Sequence, residues 1–340
     1  MFDAVVGHAR ARRLLEAAVR GRPSHAYLIV GPEAVGKREL ARAFAAALNC
    51  AAPVDARSCG RCQSCRLLAA GAHPDFREVD RTTGAEERRG RAQQKFIPIE
   101  VVRALQHDAA LTAHLGGYKV YVIAGADDLS VGAMDALLKT LEEPAPGVVI
   151  VMTATDVGLL PPTVVSRCQL VKLGLVPSEE IAAALVERKG LDPERADLIA
   201  HLAVGRPGRA FELAEDDKVL AEAREQLAGI AALDVAGRID RLKAGERLAQ
   251  AHGRSPEATE RWLELLLLWW RDVLLVRTGC EEMVVNRERL PELRARAGRL
   301  SVRQAGAALR AIEQTSLYLA ENVQPRLALE LLLLSLPRAA

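Results

Sequence analysis

A glycine-containing segment, Gly31-Pro-Glu-Ala-Val-Gly36-Lys37, has the spacing of a loop that cradles phosphate. Glycines let backbone N–H groups wrap around phosphate oxygens, and the N-terminus of a following helix adds positive potential. The apolar run Ala26–Val30 precedes the segment, and the composition of Lys37–Leu48 is helical. This is the strand–loop–helix context that the motif requires, and it places the Lys37 ammonium at the terminal phosphates of a nucleotide.

Two features that ATP hydrolysis requires are missing near this loop. The position after Lys37, where a Ser or Thr hydroxyl would bind Mg²⁺, is occupied by Arg38. A carboxylate that holds the metal is expected at the end of the run Lys119–Ala124, but Ala124 and Gly125 stand there. Asp127-Asp128 follow, and on an extended chain that advances about 3.3 Å per residue they would lie too far along.

The alternative is an alignment error of two residues, which would make Asp127-Asp128 the acidic pair. The loss of the Ser or Thr hydroxyl points independently to a broken site. We therefore predict a degenerate nucleotide site, formed by Gly31, Gly36, Lys37 and Arg38, that does not hydrolyse ATP. Because Gly36 and Lys37 are kept, weak binding of ATP or phosphate without Mg²⁺ stays open.

A cluster of four cysteines has the spacing of a metal site, comprising Cys50, Cys59, Cys62 and Cys65. Four thiolates are the number that a closed tetrahedral Zn²⁺ site needs, and the closed shell leaves no position for a substrate. Disulfides are the main alternative and are disfavoured in the cytosol. His73 could compete as a ligand, but we interpret it as a loop residue. A structural zinc site is predicted.

The length, the composition and the net charge of the chain restrict the class of protein. The chain has 340 residues, which favours two or three domains, and 50% of them are hydrophobic, which argues against disorder. The net charge of +2 excludes a strongly basic DNA-coating protein, although local basic faces remain possible. The N-terminus has no apolar signal core, and the most apolar runs are too short to span a bilayer. A cytoplasmic protein without membrane contact is expected.

The first half of the chain alternates strand and helix patterns. Apolar, β-branched runs at Ala26–Val30, Lys119–Ala124 and Val148–Thr153 predict strands, and Asp127–Glu143 predicts a helix. Buried strands separated by helices indicate an α/β fold with a mostly parallel sheet covered on both faces. The polar segment Asp80–Gln94 is predicted to be an exposed loop.

Strand patterns end near Leu173, and only helices are predicted after it. A small group of helices starts at Pro177, and long helices follow at Pro256–Arg277 and Val302–Asn322. Tryptophans on the first of these long helices are not interleaved with basic residues, so packing is favoured over base stacking.

Together these residues resemble the clamp-loader branch of the AAA+ ATPases, and most closely its bacterial delta-prime subunits. The resemblance covers nearly the whole chain. Its most specific strings are Ala136-Leu-Leu-Lys-Thr-Leu-Glu-Glu-Pro144 and Ser166-Arg-Cys168. The other matching pieces are Val6-Gly7-His8, His25-Ala-Tyr-Leu28, the cysteine cluster, Gly71-Ala-His-Pro-Asp75, Leu160-Pro-Pro-Thr-Val-Val165 and Asn322-Val-Gln-Pro-Arg-Leu-Ala-Leu-Glu330.

The resemblance implies three domains. They are an AAA+ P-loop domain at 1–174 with a zinc module at 50–65, a helical lid at 175–214 and an all-α collar at 215–340 that holds subunits together. The family implies a hetero-pentamer with ATP-hydrolysing motor subunits and a delta subunit. As part of the DNA polymerase III holoenzyme, that complex loads a ring-shaped sliding clamp onto primed DNA during replication.

The resemblance also assigns roles to three side chains. Arg167, in the Ser-Arg-Cys string, is expected to act as an arginine finger in the ATP site of the neighbouring subunit, with a surface salt bridge as the alternative. Its permanently charged, planar guanidinium suits the charge on γ-phosphate oxygens. Thr155 and Arg209 fall at or near the two sensor positions, and a purely structural role is the alternative for both.

Three functions come into consideration for such a chain. The first is a delta-prime-like assembly subunit without ATPase activity of its own. The second is the gamma/tau-type motor subunit of the same complex, which would need a Ser or Thr at position 38 and an Asp-Glu pair at 124–125. The third is a stand-alone, zinc-dependent nucleic-acid binder, and the neutral charge and missing basic-aromatic platform count against it.

Overall fold

The computed structural model of the chain describes residues 2–52, 57–83, 96–115, 117–321 and 323–337. Contacts divide the chain into two compact units. The first comprises residues 1–184 and 205–209, and the second comprises 185–204 and 210–340. The segment 175–214 is thus shared between the units, and the three-domain division at 174 and 214 stays a prediction.

A parallel sheet forms the centre of the first unit. Its strands have the order β2-β3-β4-β1-β5, and every neighbouring pair is parallel. They are β1 (Ala26–Val30), β2 (Phe76–Val79), β3 (Lys119–Ala124), β4 (Val148–Ala154) and β5 (Gln169–Lys172). All residues of β1, β3 and β4 are buried, which is the pattern of strands covered on both faces. The predicted α/β class is confirmed.

Helices cover both faces of this sheet. Alternate residues of the central strands supply two separate cores, because successive side chains point to opposite faces. Leu28 and Ile123 pack with α4 and α5 on one face, while Ile29 and Val122 pack with α1 and α2 on the other. The helices of the first unit are α1 (Ala9–Arg20), α2 (Lys37–Leu48), α3 (Gln63–Ala69), α4 (Ile99–Ala109), α5 (Val131–Glu142) and α6 (Pro162–Val165).

Most of the second unit is helical and its described residues form no strand, and two of the helices that follow α6 begin in the first unit. The remaining helices are α7 (Ser178–Lys189), α8 (Pro193–Leu202), α9 (Pro207–Glu215), α10 (Asp217–Val235), α11 (Arg238–Arg254), α12 (Pro256–Thr278), α13 (Leu290–Ala297), α14 (Val302–Ala320) and α15 (Pro325–Ser335). The predicted long helices correspond to α12 and α14, although Asn322 lies outside the described residues. Trp262, Trp269 and Trp270 of α12 are buried, so they serve packing as predicted.

No helix in the described ranges combines the length and the apolar character that crossing a membrane requires. The longest one, α12, carries charged residues towards both ends, with Arg271 and Asp272 in its last third.

Candidate functional site

The phosphate loop joins β1 to α2, as the sequence predicts. Helix α2 begins at Lys37, directly after Gly36, whose φ of 103° is a conformation that favours glycine. Ala34 also has a positive φ, 55°, although it carries a side chain. Strain at such a position persists only when the surroundings hold it. Here the carbonyl of Ala34 accepts a hydrogen bond from the N–H of Gly208 at 2.8 Å.

Lys37 is bound to its own loop. Its Nζ donates to the carbonyl oxygens of Gly31 at 2.6 Å and Pro32 at 2.8 Å. Burial lowers the pKa of Lys37, while the charge of Asp127 raises it and that of Arg206 lowers it. The cation that a phosphate would meet is therefore satisfied by carbonyl groups.

Neighbouring segments pack closely around the loop. His8, in the left-handed region at φ 56°, places its Nε2 2.9 Å from the carbonyl oxygen of Val35. A Cβ on Gly7 would lie 2.8 Å from Val176, and the N–H of Val176 donates to the Gly205 carbonyl at 2.8 Å. The segments around Gly7, Val176 and Gly205 thus form one packed layer against the phosphate loop.

Arg38 occupies the position of the missing hydroxyl and points to the edge strand. Its Nε donates to Glu78 of β2 at 2.6 Å, and its Nη2 donates to Asp80 at 2.9 Å. Arg42, one turn further along α2, binds the same Glu78 carboxylate. A guanidinium has no acceptor, so Arg38 cannot ligate a metal ion.

The acidic residues after β3 lie differently from what the sequence suggests. Ala124 does end the strand, but Gly125 has a φ of 85° and starts a 3₁₀ turn over Ala126–Asp128. The chain after β3 is therefore not extended as we assumed, and the negative charge of Asp127 raises the pKa of Lys37. Asp128 instead pairs with Arg81 at 3.2 Å.

The two sensor-like residues have different surroundings. Thr155 follows β4 directly, and both its N–H and its Oγ1 donate to Asp127 Oδ2, at 2.9 and 2.5 Å. Arg209 is half-buried in the first turn of α9. Arg206, three residues before Arg209, is the arginine of this segment whose charge lowers the pKa of Lys37. The sequence alone did not indicate this role.

Arg167 lies two residues after α6 and is partly exposed. Its Nη1 donates to the Thr163 carbonyl at 2.9 Å, and its Nη2 forms an ion pair with Glu142 at 2.7 Å. The side chain remains 35% exposed, so the guanidinium is held at the surface of the first unit without being buried. Cys168 is half-buried, and burial raises the pKa of its thiol to about 11.

The four predicted ligand cysteines come together. The Sγ atoms of Cys50, Cys59, Cys62 and Cys65 all lie within 4.8 Å of one another. Backbone N–H groups donate to the first three of these sulfurs at 3.2 to 3.4 Å. Such bonds, led by those from Arg61 and Cys62, lower the pKa of Cys59 to about 6, while burial raises that of Cys65 to about 12. This cluster could hold a metal ion such as Zn²⁺.

His73 lies in the loop before β2, as expected, but its side chain is buried. It is 4% exposed, and its Nδ1 accepts a hydrogen bond from the Asp75 N–H at 3.1 Å. The proton of the neutral ring is therefore on Nε2, which lies 2.7 Å from Ser64 Oγ. Both ring nitrogens are engaged, so His73 supports the cysteine module from outside the thiolate cluster.

Comparisons with known proteins show which proteins the chain resembles. A sequence model described as "DNA polymerase III, delta subunit" matches residues 7–176, half of the chain. The chain belongs to this family. The match contains the phosphate loop, the cysteine cluster and Arg167, and it confirms the resemblance to clamp-loader subunits.

Two curated relatives and one solved structure give the range of similarity. The chain is 42% identical over 149 residues to a DNA polymerase III subunit delta' of Pseudomonas aeruginosa, covering 44% of this chain and 43% of the relative. It is 30% identical over 300 residues to a DNA polymerase III subunit tau of Bacillus subtilis. That alignment covers 82% of this chain and 50% of the relative. It spans half or less of each relative's length.

One solved structure is a DNA polymerase III gamma subunit-related protein from Thermotoga maritima. The superposition covers 95% of this chain and 97% of that protein's chain. The two chains are 17% identical, with a TM-score of 0.42.

Proposed function

We propose that this chain is a delta-prime-type subunit of a DNA polymerase III clamp loader. Its own phosphate loop does not hydrolyse ATP, and Arg167 acts in the ATP site of a neighbouring motor subunit. Membership of the family supports the assignment to a clamp loader. The choice of the delta-prime role depends on the residues of the two half-sites.

The observation that carries the proposal is the contrast between these half-sites. On the phosphate side, Arg38 stands where a metal-binding hydroxyl is needed, and Ala124 and Gly125 stand where carboxylates are needed. Arg38 is tied to Glu78 and Asp80, and Lys37 to its own loop. Groups that would assemble a magnesium–triphosphate complex are thus absent or engaged elsewhere.

On the arginine side, the functional group is intact and accessible. The guanidinium of Arg167 is anchored at its base by Thr163 and paired with Glu142, yet it remains partly exposed. A guanidinium delivered by a neighbour stabilises charge on the transferring phosphoryl group, an effect of about 10³–10⁵ in rate in favourable cases. A chain whose own phosphate loop does not hydrolyse ATP can therefore still contribute Arg167 to hydrolysis in a neighbouring subunit.

The cysteine cluster fits a structural role in this proposal. Cys50, Cys59, Cys62 and Cys65 would hold one Zn²⁺ in a closed shell. The ion would link the loop after α2 to α3. No open coordination position is left for chemistry.

The proposed partners follow from the family. They are the motor subunits and the delta subunit of a hetero-pentamer, with the sliding clamp and primed DNA as the objects on which the complex acts. The predicted collar, 215–340, would supply the contacts that hold the pentamer.

The second candidate is a gamma/tau-type motor subunit. Similarity to a tau subunit over 82% of this chain favours it, and the charge of Asp127 acts on Lys37 by raising its pKa. However, the Asp127 carboxylate is bound by Thr155, and position 38 is an arginine. These residues do not supply the metal ligands that a motor subunit needs.

The test is calorimetry with ATP and Mg²⁺ together with an ATPase assay, both on the purified chain. We expect no Mg²⁺-dependent binding and no turnover. Measurable turnover by the chain alone would contradict the delta-prime role and favour the motor subunit. In a reconstituted loader, the chain should be required for full DNA-stimulated ATPase activity.

A further inference from the structure

The cysteine cluster adjoins two polar side chains that are connected to the loop between α4 and β3. Asn49 directly precedes Cys50, the first of the four cysteines, and Ser64 directly precedes Cys65, the last of them. Asn49 binds the loop directly, and Ser64 is linked to it through two further residues. The two ends of the cysteine module are thus joined to one and the same loop.

Asn49 holds one residue of this loop by both of its backbone groups. Its Nδ2 donates a hydrogen bond to the Tyr118 carbonyl oxygen at 2.9 Å, and its Oδ1 accepts one from the Tyr118 N–H at 2.8 Å. The preceding residue is packed closely as well, because a Cβ on Gly117 would overlap Asn49 Oδ1. Since Asn49 is the C-cap of α2, the loop is bound to the helix end at which the cysteine module begins.

Ser64 is linked to the loop through a buried relay, Ser64–His73–Asp75. Ser64 Oγ lies 2.7 Å from His73 Nε2, and His73 Nδ1 accepts a hydrogen bond from the Asp75 N–H at 3.1 Å. The Asp75 carboxylate accepts two backbone hydrogen bonds from the loop, from the His114 N–H at 2.7 Å and from the Leu115 N–H at 2.8 Å. All three side chains of the relay are buried.

The Asp75 carboxylate is the group of the relay that the loop contacts. It is 3% exposed, and hydrogen bonds to an ionised carboxylate are stronger than those between neutral groups. A buried carboxylate that loses its donors is left as an uncompensated charge, which is costly. The backbone of Asp75 is fixed by His73 on one side and by the Val120 N–H, which donates to its carbonyl at 2.9 Å, on the other. The orientation of Asp75 therefore determines whether the two loop amides keep their acceptor.

The positions of Asn49 and Ser64 depend on the cysteines beside them. The four Sγ atoms lie within 4.8 Å of one another, a set that fits one Zn²⁺. Thiolates that share one ion would fix Cys50 relative to Cys65, and with them the spacing between Asn49 and Ser64. Metal sites of this kind couple binding to local folding, and residues outside the ligand shell take part in that coupling.

We propose that Asn49 and the relay transmit metal binding at the cysteine cluster to the loop between α4 and β3, so that the loop is ordered when the metal is bound. The inference rests on the zinc site of the proposed function and extends it to a segment that contains none of the cysteines. The loop carries two exposed leucines, Leu111 and Leu115, which are 54% and 45% exposed. The metal state of the module thus controls the order of an apolar part of the surface of the first unit.

The test is hydrogen–deuterium exchange of the full chain, resolved to single amides. The amides of His114, Leu115 and Tyr118 are the donors in the bonds to Asp75 and Asn49, so their exchange rates report on these bonds directly. Rates are measured with Zn²⁺ bound and after a chelator has removed the metal in reducing buffer. Elemental analysis gives the zinc content of each sample.

Three variants separate the two connections from general loosening. Ser64→Ala breaks the relay without changing the loop or a cysteine, and Asn49→Ala removes the direct connection. Ser316→Ala, at an exposed position of α14, is the control. The amides of β4 are the internal reference, because this strand lies in the centre of the sheet. Far-UV circular dichroism checks that each variant is folded.

In the wild type and in Ser316→Ala, we expect removal of zinc to speed exchange of the three loop amides at least about tenfold, with β4 unchanged. In Ser64→Ala with zinc bound, His114 and Leu115 should already exchange faster, and removal of zinc should change them by less than about twofold. Tyr118 should keep its dependence on the metal in that variant. Asn49→Ala should show the reverse pattern, so either variant alone tests one connection.

The outcomes distinguish this inference from the zinc site itself. Zinc-loaded wild-type protein whose loop amides do not respond to removal of the metal would overturn the inference and leave the zinc site intact, whereas absence of zinc would overturn both. An equal rise in β4 would show unfolding of the whole sheet, which contradicts a local connection. An unchanged metal dependence of His114 and Leu115 in Ser64→Ala would show that the relay transmits nothing.

Discussion

The guanidinium of Arg167 forms an ion pair with Glu142, the last residue of α5, with 2.7 Å between Nη2 and Oε1. The two residues belong to the two strings that are most specific for the family, so the structure joins motifs that lie 25 positions apart in the chain. Exposed ion pairs of this kind contribute about 0–1 kcal/mol. A neighbouring phosphate could therefore draw Arg167 away from Glu142 at small cost.

The substitution Glu142→Gln tests this relationship. Because the pair is exposed on both sides, we expect the free energy of unfolding in urea to change by less than about 1 kcal/mol. The ATPase rate of a reconstituted loader should be at least as high as with the wild type, since the arginine no longer has a competing carboxylate. A rate as low as that of Arg167→Ala would instead show that Glu142 positions the finger.

A second prediction concerns the contact between Gly208 and the phosphate loop. A Cβ on residue 208 would lie 2.9 Å from the carbonyl oxygen of Ala34, which is closer than real contacts allow. We expect Gly208→Ala to lower the free energy of unfolding by about 1–3 kcal/mol through steric overlap.

Gly229→Ala is the matched control, because nothing lies within 4 Å of a Cβ there and the residue is inside α10. Alanine in a helix interior should stabilise by about 0.5–1 kcal/mol. Equal effects of both substitutions in urea unfolding followed by circular dichroism would contradict the proposed packing of Gly208 on Ala34.

Much of the first unit could be predicted from the sequence. Strands β1 and β3 have the predicted bounds, because buried β-branched runs end at glycine or proline turns. Strand β2 was not predicted, since it is a short edge strand in which Arg77 and Glu78 interrupt the apolar pattern. The predicted loop Asp80–Gln94 lies largely outside the described residues.

The partners of the site residues could not be predicted in the same way. Four cysteines within sixteen positions are brought together by local turns, so their spacing is informative. Arg38 and Glu78 are 40 positions apart, and no periodicity links them. The turn that carries Asp127 depends on the positive φ of Gly125, which a glycine permits but does not dictate.

The cysteine cluster makes a third prediction. Protein purified under reducing conditions should contain about one Zn²⁺ per chain by elemental analysis, because four thiolates complete a tetrahedral shell. We expect Cys59→Ser to lose most of this zinc and to melt at a lower temperature. Cys280→Ser, in the second unit, should keep both the zinc and the melting temperature. Equal zinc content in the two variants would rule out the cluster as the site.

The buried pair of Ser64 and His73 makes a fourth prediction. Ser64→Ala removes the acceptor of the Nε2 proton and leaves a buried donor without its partner, at a cost of about 1–3 kcal/mol. Ser316→Ala, at an exposed position of α14, should change the free energy of unfolding by less than about 0.5 kcal/mol. Urea unfolding measures both, and a cost for Ser64→Ala no larger than for the control would refute the support role of His73.

The most direct measurement compares Arg167→Ala with Lys37→Ala by the DNA-stimulated ATPase rate of a reconstituted loader that contains wild-type motor subunits. If the chain contributes an arginine but no hydrolytic site, Arg167→Ala lowers the rate at least tenfold, while Lys37→Ala leaves it within about twofold of the wild type. Gel filtration confirms that both complexes assemble. A large loss with Lys37→Ala and none with Arg167→Ala would contradict this division of roles.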